Sequence, residues 1–130
     1  MTDRTFARLG LIIRVLVTLA MAAGAAMDIS LNPTAMEGMA TYGYPIAIAQ
    51  PLGVVLLASA LLYAWPRTSL VGTALLTAYL GGAVATHVRA GESMATTGII
   101  PVIFGVVVWV GLLCSVAPLR TAALQSLRGE

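Results

Sequence analysis

Charge is scarce in this sequence. Of 130 residues only 9% are Asp, Glu, Lys or Arg, where a soluble domain carries about 25%. Hydrophobic residues make up 59%, and mean hydropathy is +0.96. A globule of this size has too much surface to hide that much apolar side chain from water. A soluble enzyme and a disordered chain are excluded on that ground. With one cysteine, Cys114, there is no intrachain disulfide and no Cys-x-x-Cys for thiol exchange; Cys114 reads as a small packing residue. A single histidine, His87, gives neither bis-histidine haem within the chain nor a closed zinc site, so no metal site is assigned. Lysine is absent, and the seven arginines form no basic stripe, which leaves nucleic-acid binding without support. No Gly-rich phosphate loop follows a strand.

The few charges are informative by position. Residues 38–66, 68–88 and 93–119 contain none, and about 20 apolar residues suffice to cross a membrane. The pattern predicts one domain over residues 1–130, an all-α integral membrane four-helix bundle. Its spans run over about 8–28, 45–63, 69–88 and 97–116, with Pro118 closing the last and 29–44 as a loop. Arg14 falls inside span one and is expected to snorkel to the headgroups. A rival reading treats Arg4, Arg8 and the apolar run to Ala25 as a cleaved signal peptide. Arg4, Arg8, Arg67, Arg120 and Arg128 share one side, and Arg89 stands alone on the other with Asp28, Glu37 and Glu92. The positive-inside rule then puts both termini in the cytoplasm.

In lipid, small residues let helices approach closely. Ala78, Gly82 and Ala85 recur at helical spacing on span three, and Gly24 lies in an alanine run on span one. These two spans are expected to pack together there, and Gly82→Leu to force them apart. The commonest meaning of such residues is packing alone.

Polar groups converge on the external end. An ionisable group at membrane depth is a functional candidate. Asp28, Gln50, Tyr79, His87 and Arg89 are therefore singled out as ligand or proton-relay candidates, while catalytic residues stay unassigned. Histidine is the side chain best suited to moving protons, which makes His87 a relay candidate; the plainer reading is a histidine bonded to a carbonyl or to Asp28. Arg89 lies about 200° around the helix from His87, so one faces the interior and the other the headgroups or loop. An ion pair of Asp28 with His87 or Arg89 is expected. Tyr79 needs a partner for its hydroxyl, either Thr77 or a bound polar ligand. Tyr42, Tyr44, Tyr63 and Trp65 fall at span ends, as an aromatic belt requires. Mid-span one holds no acid, unlike the small four-span multidrug transporters.

Gly43-Tyr44-Pro45 opens a stretch that continues with Tyr63-Ala64-Trp65-Pro66-Arg67-Thr68. Gly81-Gly82-Ala83-Val84-Ala85-Thr86-His87-Val88-Arg89, then Pro101 and Val108-Trp109-Val110-Gly111-Leu112, follow. Over roughly residues 42–113 this resembles the DoxX-like family of small bacterial membrane proteins; the first 41 residues match less well. The resemblance implies a four-span bundle in the inner membrane and a loose association with respiratory and thiol redox systems. Its founding relatives are membrane subunits of a quinone-reducing oxidoreductase. The expected function is a non-catalytic subunit or partner-binding membrane component. The alternative is a quinone-linked oxidoreductase subunit with a polar pocket at the external end. No cofactor is assigned, a quinone being the one that the resemblance allows. The expected partners are the lipid bilayer and another membrane protein or a second copy.

Overall fold

A computed structural model describes residues 2–129, all but the first and last positions of the expected domain. It is all-helical, with no strand among the described residues. The elements are α1 (Asp3–Ile29), α2 (Pro33–Thr41), α3 (Ala49–Ala64), α4 (Ser69–Arg89), α5 (Ile99–Ser115) and α6 (Ala117–Arg128). A 3-10 turn at Ile46–Ile48 leads into α3, and a π-helical turn at Met94–Gly98 leads into α5. Four segments are long and apolar enough to cross a membrane: Asp3–Ile29, Ile46–Ala64, Ser69–Arg89 and Met94–Ser115. These match the four expected spans.

Two elements were not expected. The loop after span one contains α2, started by Asn32, whose side chain accepts from the Thr34 amide, and by Pro33 in the first turn. The tail beyond Val116 is helical too. Pro118 closes nothing; it sits in the first turn of α6, where its missing N–H costs no hydrogen bond.

Helix α1 packs against α3 and α5, and α4 completes the ring against the same two. Neighbours are antiparallel, so α1 and α4 lie across the diagonal. The expected close packing of spans one and three therefore does not form. Close approach requires small residues on both sides of one interface, and α3 rather than α4 supplies them to α1. Ala25 is fully buried, and a Cβ on Gly53 would lie 2.9 Å from its carbonyl oxygen. Gly24 faces Leu56 of α3. Ala78, Gly82 and Ala85 are all exposed, and a Cβ on Gly82 would meet nothing.

Two further expectations are corrected. Arg14 does not snorkel: it is 5% exposed and donates to the carbonyls of Tyr63 and Ala64. Tyr63 does not join an aromatic belt. It is fully buried, and its hydroxyl donates to the Val108 carbonyl at 3.0 Å. Its neighbour Trp65 is exposed, as a belt residue is. The core around Tyr63, Leu76, Val108 and Leu56 is apolar and fills the end of the helices that carries Tyr63. The opposite end, carrying His87, is where the polar groups collect.

Candidate functional site

At the His87 end α4 closes with Gly91 in the left-handed region (φ 75°). The Glu92 amide donates to the His87 carbonyl at 3.1 Å and the Gly91 amide to the Val88 carbonyl at 3.0 Å. This paired closure needs a residue that accepts positive φ, and glycine does so without a Cβ clash. Its consequence is chemical. The reversal folds Glu92 back over the last turn, so that its Oε2 lies 2.7 Å from His87 Nδ1.

Tyr42 joins them. Its hydroxyl donates to Glu92 Oε1 at 2.8 Å, and its ring meets His87 edge-on with centroids 5.3 Å apart. The Thr97 hydroxyl, the Tyr42 hydroxyl and His87 together hold the Glu92 carboxyl down to about 2. The same hydrogen bond to Glu92 pushes the Tyr42 phenol above its usual value. An ionised Glu92 accepts the proton on His87 Nδ1. That leaves Nε2 as an acceptor in neutral imidazole and a donor in imidazolium.

Arg89 points the other way. It is exposed, donates to the Tyr42 carbonyl at 2.8 Å, and stacks over the Tyr44 ring at 5.5 Å. Tyr44 in turn is hydrogen-bonded to Thr86 at 2.6 Å. Arg89, Tyr44 and Tyr42 thus pin the end of α2 onto α4. His87 is the residue that faces inward.

Beneath this clasp lies a cavity of about 470 Å³. Helix α2 covers it with Gly38 and Met39, α3 walls it with Leu52, α4 contributes Ala78, Tyr79, Gly82 and His87, and Asp28 enters from the end of α1. Of the five candidates read from the sequence, the structure brings Asp28, Tyr79 and His87 together here. Gln50 is elsewhere. It is exposed, and its side-chain amide donates to the Ile29 carbonyl at 3.0 Å, capping the last carbonyl of α1. Arg89 is outside as described.

The expected ion pair of Asp28 with His87 or Arg89 is absent, because Glu92 takes His87 and the Tyr42 carbonyl takes Arg89. Thr77 is not the partner of Tyr79. It donates to the Thr73 carbonyl and accepts from Trp109 Nε1 at 3.0 Å. Among the described residues the Tyr79 hydroxyl and the Asp28 carboxyl make no hydrogen bond; both open on the cavity. Glu92 and Tyr42 are the two site residues missed in the sequence. The signal for Glu92 was its place one residue after the glycine that ends a helix carrying histidine in its last turn.

The four apolar helices define a multi-pass membrane protein. The profile of the DoxX-like family matches residues 12–111, and the chain belongs to that family. The match reaches further toward the N-terminus than residue 42 and takes in Arg14, Asp28 and the cover helix α2. No curated protein and no solved structure matches the chain.

Proposed function

We propose that the protein is a non-catalytic subunit of the bacterial inner membrane that holds a quinone-class ligand at its His87 end for a redox partner. One observation carries this reading. Asp28, the Tyr79 hydroxyl and the inward edge of His87 border one cavity between apolar walls, and the first two have no internal partner. The Tyr79 ring is half-buried and its hydroxyl is left to the cavity, whereas such hydroxyls usually find a partner within the protein. A ring with carbonyl acceptors and an apolar tail matches such a lining: Tyr79 and His87 are the residues that would hydrogen-bond its oxygens, and Leu52 and Met39 would supply the apolar wall. When bound, a quinone supplies exchange of two electrons and two protons. The chain's own part is to bind, to orient and to hold the His87 ring beside the ligand, with Glu92 fixing that ring through Nδ1. Arginine placement favours cytoplasmic termini, so that the cavity faces outward.

A second reading, attachment to another membrane protein or a second copy, is favoured by a separate feature. An almost wholly apolar groove of about 500 Å³ runs between α4 and α5, past Gly81, Gly105 and Trp109. Purification in native lipid, with solvent extraction and mass spectrometry of lipid, quinone and protein, tests both. Retained quinone that falls several-fold in Tyr79→Phe supports the first. A partner protein without quinone supports the second. A preparation holding neither overturns both.

A further inference from the structure

The cavity leaves one feature of the molecule unused. Helix α6 follows α5 with only Val116 between them, and Val116 has extended backbone that breaks the helical path. Since α5 ends a span, α6 begins at the boundary between lipid and water. None of its residues is buried within the chain. Leu119, Ala123 and Leu127 follow one another at four-residue spacing with Leu124 beside them, so this face is apolar apart from Arg120, which falls between Leu127 and Leu124. Leu119 and Ala123 are half-buried, and Leu124 and Leu127 are exposed. Leu127 is 84% exposed. Thr121, Gln125 and Arg128 occupy the other face.

The helix is held at this level. Arg120 donates to Asp3 Oδ1 at 2.7 Å and to the Cys114 carbonyl at 3.2 Å, and it stacks over the Phe6 ring at 4.7 Å. Those contacts tie α6 to the first turn of α1. Around it stand Arg4, Arg8 and Arg67, all exposed and without an ion pair among the described residues. Exposed Trp65 marks the same level. Asp3, already paired with Arg120, is the one described acid at this end, whereas Asp28, Glu37 and Glu92 lie at the other. Among the described residues the charges at the Tyr63 end are therefore mostly positive.

We propose that α6 and this arginine collar form a docking surface for anionic phospholipid headgroups, with α6 lying in the plane of the membrane. Its leucine face enters the boundary between headgroups and acyl chains, as amphipathic helices do. Arg4, Arg8 and Arg67 meet the lipid phosphates, each gaining from a negative surface potential. Trp65 sits at the depth favoured by interfacial aromatics. The surface is at the far end from the cavity and does not depend on the ligand assigned there.

The test uses the full chain reconstituted in vesicles of phosphatidylcholine, alone or mixed with phosphatidylglycerol. A spin label on Leu127→Cys, in a Cys114→Ala background, reports whether oxygen or a water-soluble nickel complex reaches α6. Protection from nickel, stronger in the mixed vesicles, is the expected result. Lipid retained after extraction from mixed vesicles is expected to be enriched in phosphatidylglycerol. That enrichment should fall several-fold in Arg4→Gln/Arg8→Gln/Arg67→Gln, and added inorganic phosphate should not displace the lipid. Labels equally open to nickel in both vesicles, or equal retention of the two lipids by the wild-type chain, overturn the proposal. Both of those outcomes are read on a chain with its arginines intact, so misinsertion of the triple variant cannot mimic them.

Discussion

Arg14 Nη2 donates to the Tyr63 carbonyl at 2.6 Å, and the guanidinium lies 5.5 Å from the centre of the same residue's ring. The geometry closes the account of helix α3. Its last four carbonyls have no partner inside the helix. The Leu61 carbonyl takes the Trp65 amide, Leu62 takes the Thr68 hydroxyl at 2.8 Å, and Tyr63 and Ala64 take Arg14. A cation at a helix C-terminus also meets the negative end of the dipole. The Nη2 of a buried charge is thus satisfied without an acid, while its Nε is buried with no partner. Arg14→Met should lower unfolding free energy by about 3 kcal/mol, because two buried carbonyls lose a charged donor. Arg14→Lys should recover part of it, since an ammonium can donate to both carbonyls as Nη2 does but does not stack over the Tyr63 ring as the planar guanidinium does. Denaturant unfolding in a fixed detergent measures both; a Met variant as stable as wild type would refute the capping role.

The spans were legible because hydropathy over 20 residues is a local property. Arg14 was misread because snorkelling and capping a neighbouring helix look identical along one chain. They differ only in what stands beside residue 14, and that is α3, 49 residues away. The same holds for small residues. Gly53 and Gly82 are indistinguishable in sequence, yet one faces α1 and the other a cavity. Asp28, Tyr79 and His87 were legible as polar groups at one end of the spans. Their sorting from Gln50 and Arg89 was not, because it depends on which way each helix is turned about its axis.

That contrast gives a paired prediction. A Cβ on Gly53 would lie 2.8 Å from Ile29 Cγ1 and 2.9 Å from the Asp28 Cβ, so Gly53→Ala must push α1 and α3 apart. The cost should be about 2 kcal/mol, the usual range for overpacking. Gly82→Leu should leave the melting temperature near that of wild type, because nothing lies within 4 Å. Its side chain should instead fill the cavity and displace retained ligand. Thermal melts of both variants decide the matter.

Leu31 is the one non-glycine residue at positive φ (54°) among the described residues. It occupies the left-handed position of a paired closure at the end of α1. Its amide donates to the Asp28 carbonyl at 3.2 Å, and the Asn32 amide donates to Met27 at 2.9 Å. The left-handed region costs a residue with a Cβ about 1–2 kcal/mol. Leu31→Gly relieves that clash and loosens the unfolded chain, for a net gain of about 0.5 kcal/mol. A higher melting temperature is expected, and a lower one would show that the exposed leucine contributes contacts worth more than the strain.

The clasp over the cavity should be sensitive to acid. Glu92 is held at about 2 against an ordinary 4.5. A carboxylate with a depressed folded value contributes stability that is fully present above 4.5 and lost as pH falls toward 2. Protonated Glu92 no longer accepts from both Tyr42 and His87, so α2 should loosen before the spans do. Hydrogen exchange of residues 33–44 at several pH values reads this directly. In Glu92→Gln those amides should exchange faster at neutral pH and lose the acid-dependent step. An unchanged exchange rate would mean that Arg89 and Tyr44 alone hold α2 down.

The cavity makes a prediction of opposite sign to the usual one. Most substitutions destabilise a protein, but Tyr79 and Asp28 place polar groups in an apolar setting with no internal partner. Such groups cost free energy until something binds them. Tyr79→Phe should therefore raise the stability of ligand-free protein, by up to about 1 kcal/mol, and Asp28→Asn should do the same to a smaller extent because Asp28 lies at the end of its helix. Added ligand should stabilise the wild type and leave Tyr79→Phe nearly unmoved, since only a chain that binds gains from mass action. Melting curves of ligand-stripped and quinone-supplemented protein separate these terms. A Phe variant less stable than wild type when stripped would place the hydroxyl among the packing contacts of α4 instead of in a site.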